Sequence, residues 1–168
     1  MARLLRFVWP ALIAGCSGES RQAGIESFRR TVNPPELPAD TIPEVLDYAA
    51  DLQVDLSEMA KLPVGVLYRD VTVGEGAEVA GGDSVEVLYL GWLPNGALVD
   101  SSITGVRIGS ADILPGIEAA LPGMKVGGVR KLVLSPGLAY GGEGGPGIPP
   151  ASVLVYDVNL RARIPPPP

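Results

Sequence analysis

No histidine occurs among the 168 residues, and cysteine occurs once, at Cys16. Those two facts remove Ser-His and Cys-His catalysis, histidine-ligated metals, an internal disulfide and any cysteine cluster. Chemistry is left to carboxylates, phenols, Lys, Arg, backbone groups and the shape of a cavity. Asp51, Asp55, Glu58 and similar carboxylates show no metal-ligand spacing and read as solvated faces, so no metal and no cofactor is expected. The stretch Ala139–Val158, AYGGEGGPGIPPASVLVYDV, raises a more specific question. Glycine and proline crowd into it, and it then turns at once into alternating apolar residues. A flexible loop on a rigid strand is a usual seat of function. Gly142–Gly147 matches G-x-G-x-x-G formally, but a dinucleotide fingerprint follows a strand and opens a helix, whereas IPP and a strand follow here. The net charge of −6 argues against a nucleic-acid partner, which would want a clustered basic face.

The elements that must position such a loop are strands. VGVLYRDVTVG is rich in β-branched and aromatic residues and ends in a GEG turn cue. In GGDSVEVLYLGW, Val85, Val87 and Tyr89 share one face and Glu86, Leu88 and Leu90 the other. Pro94-Asn95-Gly96 turns the chain into a returning strand through Ala97–Asp100, and Gly105–Ile108 reads as a further short strand. GVRKLVLS and SVLVYDVNL supply two more. One segment has helical period instead: ILPGIEAALPG places Ile113, Leu114, Ile117 and Leu121 along one side. Pro115 fits its first turn and Pro122-Gly123 stops it. About two turns of helix are unstable alone, so it must lie on the apolar inner face of the sheet. The expected fold class is α+β, a curved antiparallel β-sheet wrapped around one short α-helix.

The N-terminus is not read as fold. Arg3 and Arg6 precede a short apolar run, Phe7–Ile13, which is too short to span a bilayer. Leu12-Ile13-Ala14-Gly15-Cys16 resembles a bacterial lipobox, in which cleavage precedes a lipidated cysteine; an ordinary secretory signal is the other reading. Residues 1–15 are then a lipoprotein signal peptide and 16–61 a tether. A short helix is expected within it, with Val45, Leu46, Ala49 and Leu52 on one face behind Pro43. The domain is placed at 62–162 and a proline-rich tail at 163–168. Ser17 after the cysteine favours the outer membrane, facing the periplasm.

From Val64 to Ala162 the chain resembles the FKBP family of peptidyl-prolyl cis–trans isomerases, the macrolide-binding immunophilins. The resemblance rests on ordered blocks: VEVLYLGWLPNG, VDSS, LPGIEAALPGMKVGGVRKLVLSP and LAYGGEGGPGIPPASVLVYDV. It implies a site in which Asp100 and Tyr140 are the catalytic polar pair. Tyr89, Val99, Ile113, Leu114, Ile117, Ile148 and Tyr156 would form the substrate-binding wall, floor and flap. Among them, the Leu114 backbone N–H would meet a bound carbonyl. Three departures reduce the aromatic surface. Val99 stands where the family usually has an aromatic residue, Ile117 where it often has tryptophan, and the segment between Ser102 and Gly109 is shorter than usual.

The implied activity is rotation about X-Pro bonds of unfolded or nascent exported polypeptides, with macrolides bound weakly. Such a bond prefers trans by under ~1 kcal/mol but crosses a barrier of ~18–20 kcal/mol, because resonance flattens the amide. Lowering that barrier requires only that the twisted amide be bound better than the planar one. A twisted amide has less charge separation, so an apolar pocket favours it. The alternative is an FKBP-shaped chaperone or binding module with little isomerase activity.

Overall fold

The computed structural model describes residues 43–164. The segment read as a signal peptide, Cys16, the first part of the segment read as a tether, and Pro165–Pro168 lie outside the described residues. Six strands form one antiparallel sheet: β1 (Ala60–Lys61), β2 (Leu67–Thr72), β3 (Ser84–Trp92), β4 (Leu98–Arg107), β5 (Val129–Leu134) and β6 (Leu154–Ile164). Their order across the sheet is β1-β2-β5-β6-β3-β4. One helix, α1 (Pro115–Ala120), lies between β4 and β5 in the chain.

The alternation read from the sequence places the core. Val85, Val87, Leu132, Leu134, Leu154, Tyr156, Val158 and Leu160 converge on the inner face with Ile117, Ala120 and Leu121. Burial against that face is what holds a helix of six residues, since hydrogen bonds alone do not sustain so short a one. Pro115 begins it, and Gly116 lets it approach β5, because a Cβ there would come within 2.6 Å of Leu134. Glu118 Oε1 accepts from the N–H groups of Gly109 and Ala111 and so ties the incoming loop to the helix. At the far end, Arg130 donates to Ala120 O at 2.7 Å and forks onto Asp70 at 2.6 and 3.0 Å. Its buried guanidinium is thereby paired on both sides.

Two elements depart from the sequence reading. β4 is one strand of ten residues rather than two pieces, because Ser101, Ser102 and Thr104, which signal a turn, find partners along β3 in Leu90, Tyr89 and Val87. The segment after Pro43 makes three short 3-10 turns (Pro43–Val45, Ala50–Leu52 and Leu56–Glu58) in place of a helix. Gln53, at φ 50°, takes the left-handed conformation that ends helical winding. Leu46, Ala49 and Leu52 pack as expected, but Val45 faces solvent. This strap lies on the outer face of the sheet over Leu67, Val133, Val153 and Val155. Packing therefore extends upstream of Leu62, and strand β6 continues to Ile164, into the segment read as tail.

Candidate active site

Asp100 stands on β4 and faces inward. Its Oδ2 accepts two hydrogen bonds, from the Tyr140 hydroxyl at 2.9 Å and the Tyr156 hydroxyl at 2.8 Å. Tyr140 comes from the loop after β5 and Tyr156 from β6, so one oxygen gathers three parts of the chain. Tyr89 packs edge-on to Tyr156, with ring centroids 5.9 Å apart and an interplanar angle of 67°. That arrangement suits the aromatic quadrupoles.

The sheet register explains how Tyr156 reaches Asp100. Gly91 on β3 pairs with Asp100 on one side and Tyr156 on the other. Tyr156 and Asp100 are thus two strand spacings apart, roughly 9–10 Å, and the phenol must lie across β3 to span them. A Cβ on residue 91 would come within 2.4 Å of Tyr156 Cε1 and 3.0 Å of its hydroxyl. Only glycine leaves the ring its path. Gly91 is a site residue that the sequence reading missed. The available signal was a glycine interrupting an apolar strand interior, a known mark of close approach.

The predicted residues fall into two groups. Tyr89, Val99, Ile113, Leu114 and Tyr140 are half-buried at the edge of the inner core and retain accessible surface. Ile117 and Tyr156 have no exposed surface, and Ile148 has 5%. Ile117, expected as a pocket floor, is covered by its neighbours. Ile148, expected as the apolar tip of the flap, turns into the core. The flap itself is a tied turn: Gly145 and Ile148 exchange N–H···O bonds of 2.9 Å, and Ala151 N–H reaches Gly141 O at 3.1 Å. Leu114 caps α1 in an extended conformation. Its N–H finds no acceptor among the described residues and stays available to a ligand carbonyl.

The electrostatics follow from burial around one carboxylate. Burial, with the Asp100 hydrogen bond and charge, pushes the Tyr140 hydroxyl up to about 12. The same causes in the same order raise Tyr156 further. Burial and then the Asp100 charge raise Tyr89, against a lowering contact from Ser102. All three phenols keep their protons at neutral pH, and those of Tyr140 and Tyr156 donate to Asp100. No ion pair reaches Asp100 among the described residues. The arrangement is an apolar rim with one uncompensated carboxylate, neutral donors and a free backbone N–H. It suits recognition of an amide rather than attack by a nucleophile.

The model of the family described as FKBP-type peptidyl-prolyl cis-trans isomerase matches residues 75–161. FK506-binding protein 4 of Chaetomium thermophilum is 42% identical over 104 residues, which is 60% of this chain and 22% of that protein. The crystal structure of a peptidyl-prolyl cis-trans isomerase from Pseudomonas syringae pv. tomato is similar with a TM-score of 0.58 and 31% identity, covering 69% of this chain and 87% of that one. FkpA from Escherichia coli is similar at the same TM-score of 0.58 with 28% identity, covering 89% of this chain and 61% of that one. The chain spans about a quarter of the length of the curated relatives it matches, with shares of 22%, 26% and 30%. It belongs to the FKBP-type peptidyl-prolyl cis-trans isomerase family.

Proposed function

We propose, from that family membership, that this chain is a prolyl isomerase whose reacting amide sits against Tyr89, Val99, Ile113 and Leu114, beside Asp100. The observation that carries the reading is Asp100 Oδ2 holding both the Tyr140 and Tyr156 hydroxyls with no ion pair to it among the described residues. The fixed negative field beside an apolar wall disfavours the charge-separated planar amide relative to the twisted one. Leu114 N–H supplies a donor for the carbonyl that flanks the proline. Tyr140 supplies a second once its hydroxyl swings from Asp100. Weak binding of FK506-type macrolides fits the same wall, since Val99 and the covered Ile117 offer little aromatic contact.

The test is isomerisation of a blocked proline tetrapeptide by the full chain. Catalysis above the uncatalysed rate that falls in Asp100→Ala supports the reading. A folded chain that binds such peptides without accelerating them would favour the binding-module alternative, for which the covered Ile117 is the motivating feature.

The setting rests on residues outside those described. The Leu12–Cys16 motif supports a bacterial lipoprotein whose clients are exported polypeptides, with Cys16 lipidated and the domain held at the outer membrane facing the periplasm. Mass spectrometry of the mature N-terminus tests this. An unmodified Cys16 or cleavage elsewhere would refute it.

A further inference from the structure

The sheet has two edges, and they are finished differently. β1 pairs with the start of β2, a bulge between Asp70 and Thr72 breaks the line of β2, and Arg69 is tied back to Glu58 and to Gln53 O of the strap. Charges, bulges and covering segments are the usual means of closing an edge. Among the described residues, β4 shows none of these between Asp100 and Arg107; its register shift falls at its start, between Leu98 and Asp100. Its pairing with β3 runs without a shift from Ser84–Arg107 to Gly91–Asp100, and between Asp100 and Arg107 it carries no charge.

The register tells which groups of β4 stand open. Ile108 N–H donates to Asp83 O, and Gly82 N–H to Ile108 O. Antiparallel pairs alternate, so Val106, Thr104, Ser102 and Asp100 turn their main-chain groups to β3. Ser101, Ile103 and Gly105 turn theirs outward. The side chains of Ser101 and Ile103 lie on the outer face, where Ile103 is 57% exposed beside half-buried Leu88 and Leu90. The open edge thus offers a row of donors and acceptors flanked by an apolar strip. It is also continuous with the candidate site, because Val99 and Asp100 belong to the same strand.

We propose that the open edge of β4 binds an extended segment of the client polypeptide by strand addition, while a proline of that same chain occupies the site at Asp100. This rests on the isomerase reading and names its substrate class: unfolded chains with a proline-free, β-prone stretch beside the proline. The main-chain row sets the requirement for an extended, unpaired backbone. Ile103 and Leu88 set the preference for an apolar side chain on the outer face. Proline is excluded from the paired positions because it has no N–H to give. A chain leaving the site past Asp100 has to cross only the width of β4, under ~5 Å, to reach the edge.

Two measurements on the full chain test this. In the first, amide hydrogen exchange is followed with a blocked, proline-free Thr-Val octapeptide as probe. Exchange at Ser101, Ile103 and Gly105 should slow by about tenfold or more, while Ser102 and Thr104, already bonded to β3, stay unchanged. In the second, Ile103→Lys should keep tetrapeptide isomerisation within about twofold but lower kcat/KM for a proline-limited refolding protein by about fivefold, the scale of one cross-strand pair plus an edge charge. Unprotected amides with the peptide, or equal loss on both substrates in Ile103→Lys, would overturn the proposal. So would protection that grows with protein concentration alone, which would assign the edge to a second copy. An inactive wild type on the tetrapeptide with the three amides still protected would sink the isomerase reading and leave the edge as a binding site.

Discussion

Asp100 and Asp157 are both half-buried carboxylates, on strands separated only by β3, and they face opposite sides of the sheet. Asp157 lies on the outer face, where Lys131 Nζ sits 2.6 Å from its Oδ1, near enough for the charge though off the line of a good hydrogen bond. Lys131 is nearly fully buried beneath the strap, with the Trp92 ring 6.0 Å away. Asp70 is treated in the same way by Arg130. Asp100 receives two neutral phenols and, among the described residues, no cation. A carboxylate that only holds strands together is best neutralised, because a buried charge without a partner is costly. One that must act on a ligand keeps its field, and neutral donors fix its position without cancelling it.

The largest test exchanges the roles. Asp100→Ala should lower kcat/KM on a proline tetrapeptide by at least tenfold, ~1.4 kcal/mol of transition-state stabilisation, with little change in the unfolding midpoint. Asp157→Ala should do the reverse. It strands the buried Lys131 ammonium and should cost about 2 kcal/mol of stability, less than a fully buried pair because Asp157 retains a third of its exposure. Its tetrapeptide activity should remain near wild type. Denaturant melts beside kinetics read both axes. If Asp100→Ala mainly unfolds the chain, or Asp157→Ala mainly abolishes turnover, the distinction between the two carboxylates collapses.

Gly91 sharpens the contrast, because it serves Asp100 and not Asp157. In Gly91→Ala the new methyl meets the Tyr156 ring at 2.4 Å, and the ring must leave its path to Asp100. We expect about 1–3 kcal/mol of lost stability from overpacking, and a several-fold loss of kcat/KM as Asp100 loses one of its two donors. Gly91→Ala/Tyr156→Phe separates these effects. If activity is limited by the Tyr156 hydroxyl, the double variant should lose no more activity than Tyr156→Phe alone. If losses add, Gly91 acts elsewhere.

These residues also show what was legible in the sequence. The alternation in VEVLYLGW and SVLVYDV placed the inner core, since side-chain direction in a strand follows position. The short helix followed from its period and its prolines. Asp100, Tyr140, Tyr89, Val99, Ile113 and Leu114 came through the family resemblance; the structure joins Tyr140 and Tyr156 to Asp100, sets Tyr89 against Tyr156, and packs Val99, Ile113 and Leu114 at the edge of the inner core. Gly91 was not found, because its role is empty space for a side chain that is 65 positions away and reaches it only through β-register. The strap was misread because its apolar residues fit a helix equally well. Nothing local reveals that an extended sheet face, rather than a helix-sized groove, will receive them. β4 was divided because Ser101, Ser102 and Thr104 carry turn signals that β3 overrides by offering partners. Burial of Ile117 and Ile148 depends on how neighbours close around them, which pattern does not specify.

The smallest effect concerns the phenols themselves. Tyr140, raised to about 12, keeps its proton in the folded chain through a range where an unfolded tyrosine, near 10.0, has lost it. Between those values the folded state binds more protons than the unfolded state, so stability falls as pH rises. The stabilisation is complete below about pH 10 and is lost on passing about pH 12. Tyr48, in the strap, is also raised, by burial first and then by the Glu44 charge, and adds to the same alkaline loss from the outer face. Tyr140→Phe and Tyr48→Phe should each flatten the decline, but they should part company in activity. Because Tyr140 is only half-buried and solvent screens its charge, its share should stay under about 1 kcal/mol. The decisive observation is a pair of alkaline denaturation series with tetrapeptide kinetics at neutral pH. Tyr140→Phe should lose turnover while gaining alkaline tolerance, and Tyr48→Phe should gain tolerance alone. If Tyr48→Phe lowers turnover as far as Tyr140→Phe, the outer face feeds into the site and the two sides of the sheet are not separable. If Tyr140→Phe leaves the alkaline decline unchanged, its proton is not held by Asp100, and the account of that carboxylate as a neutral-donor site fails with it.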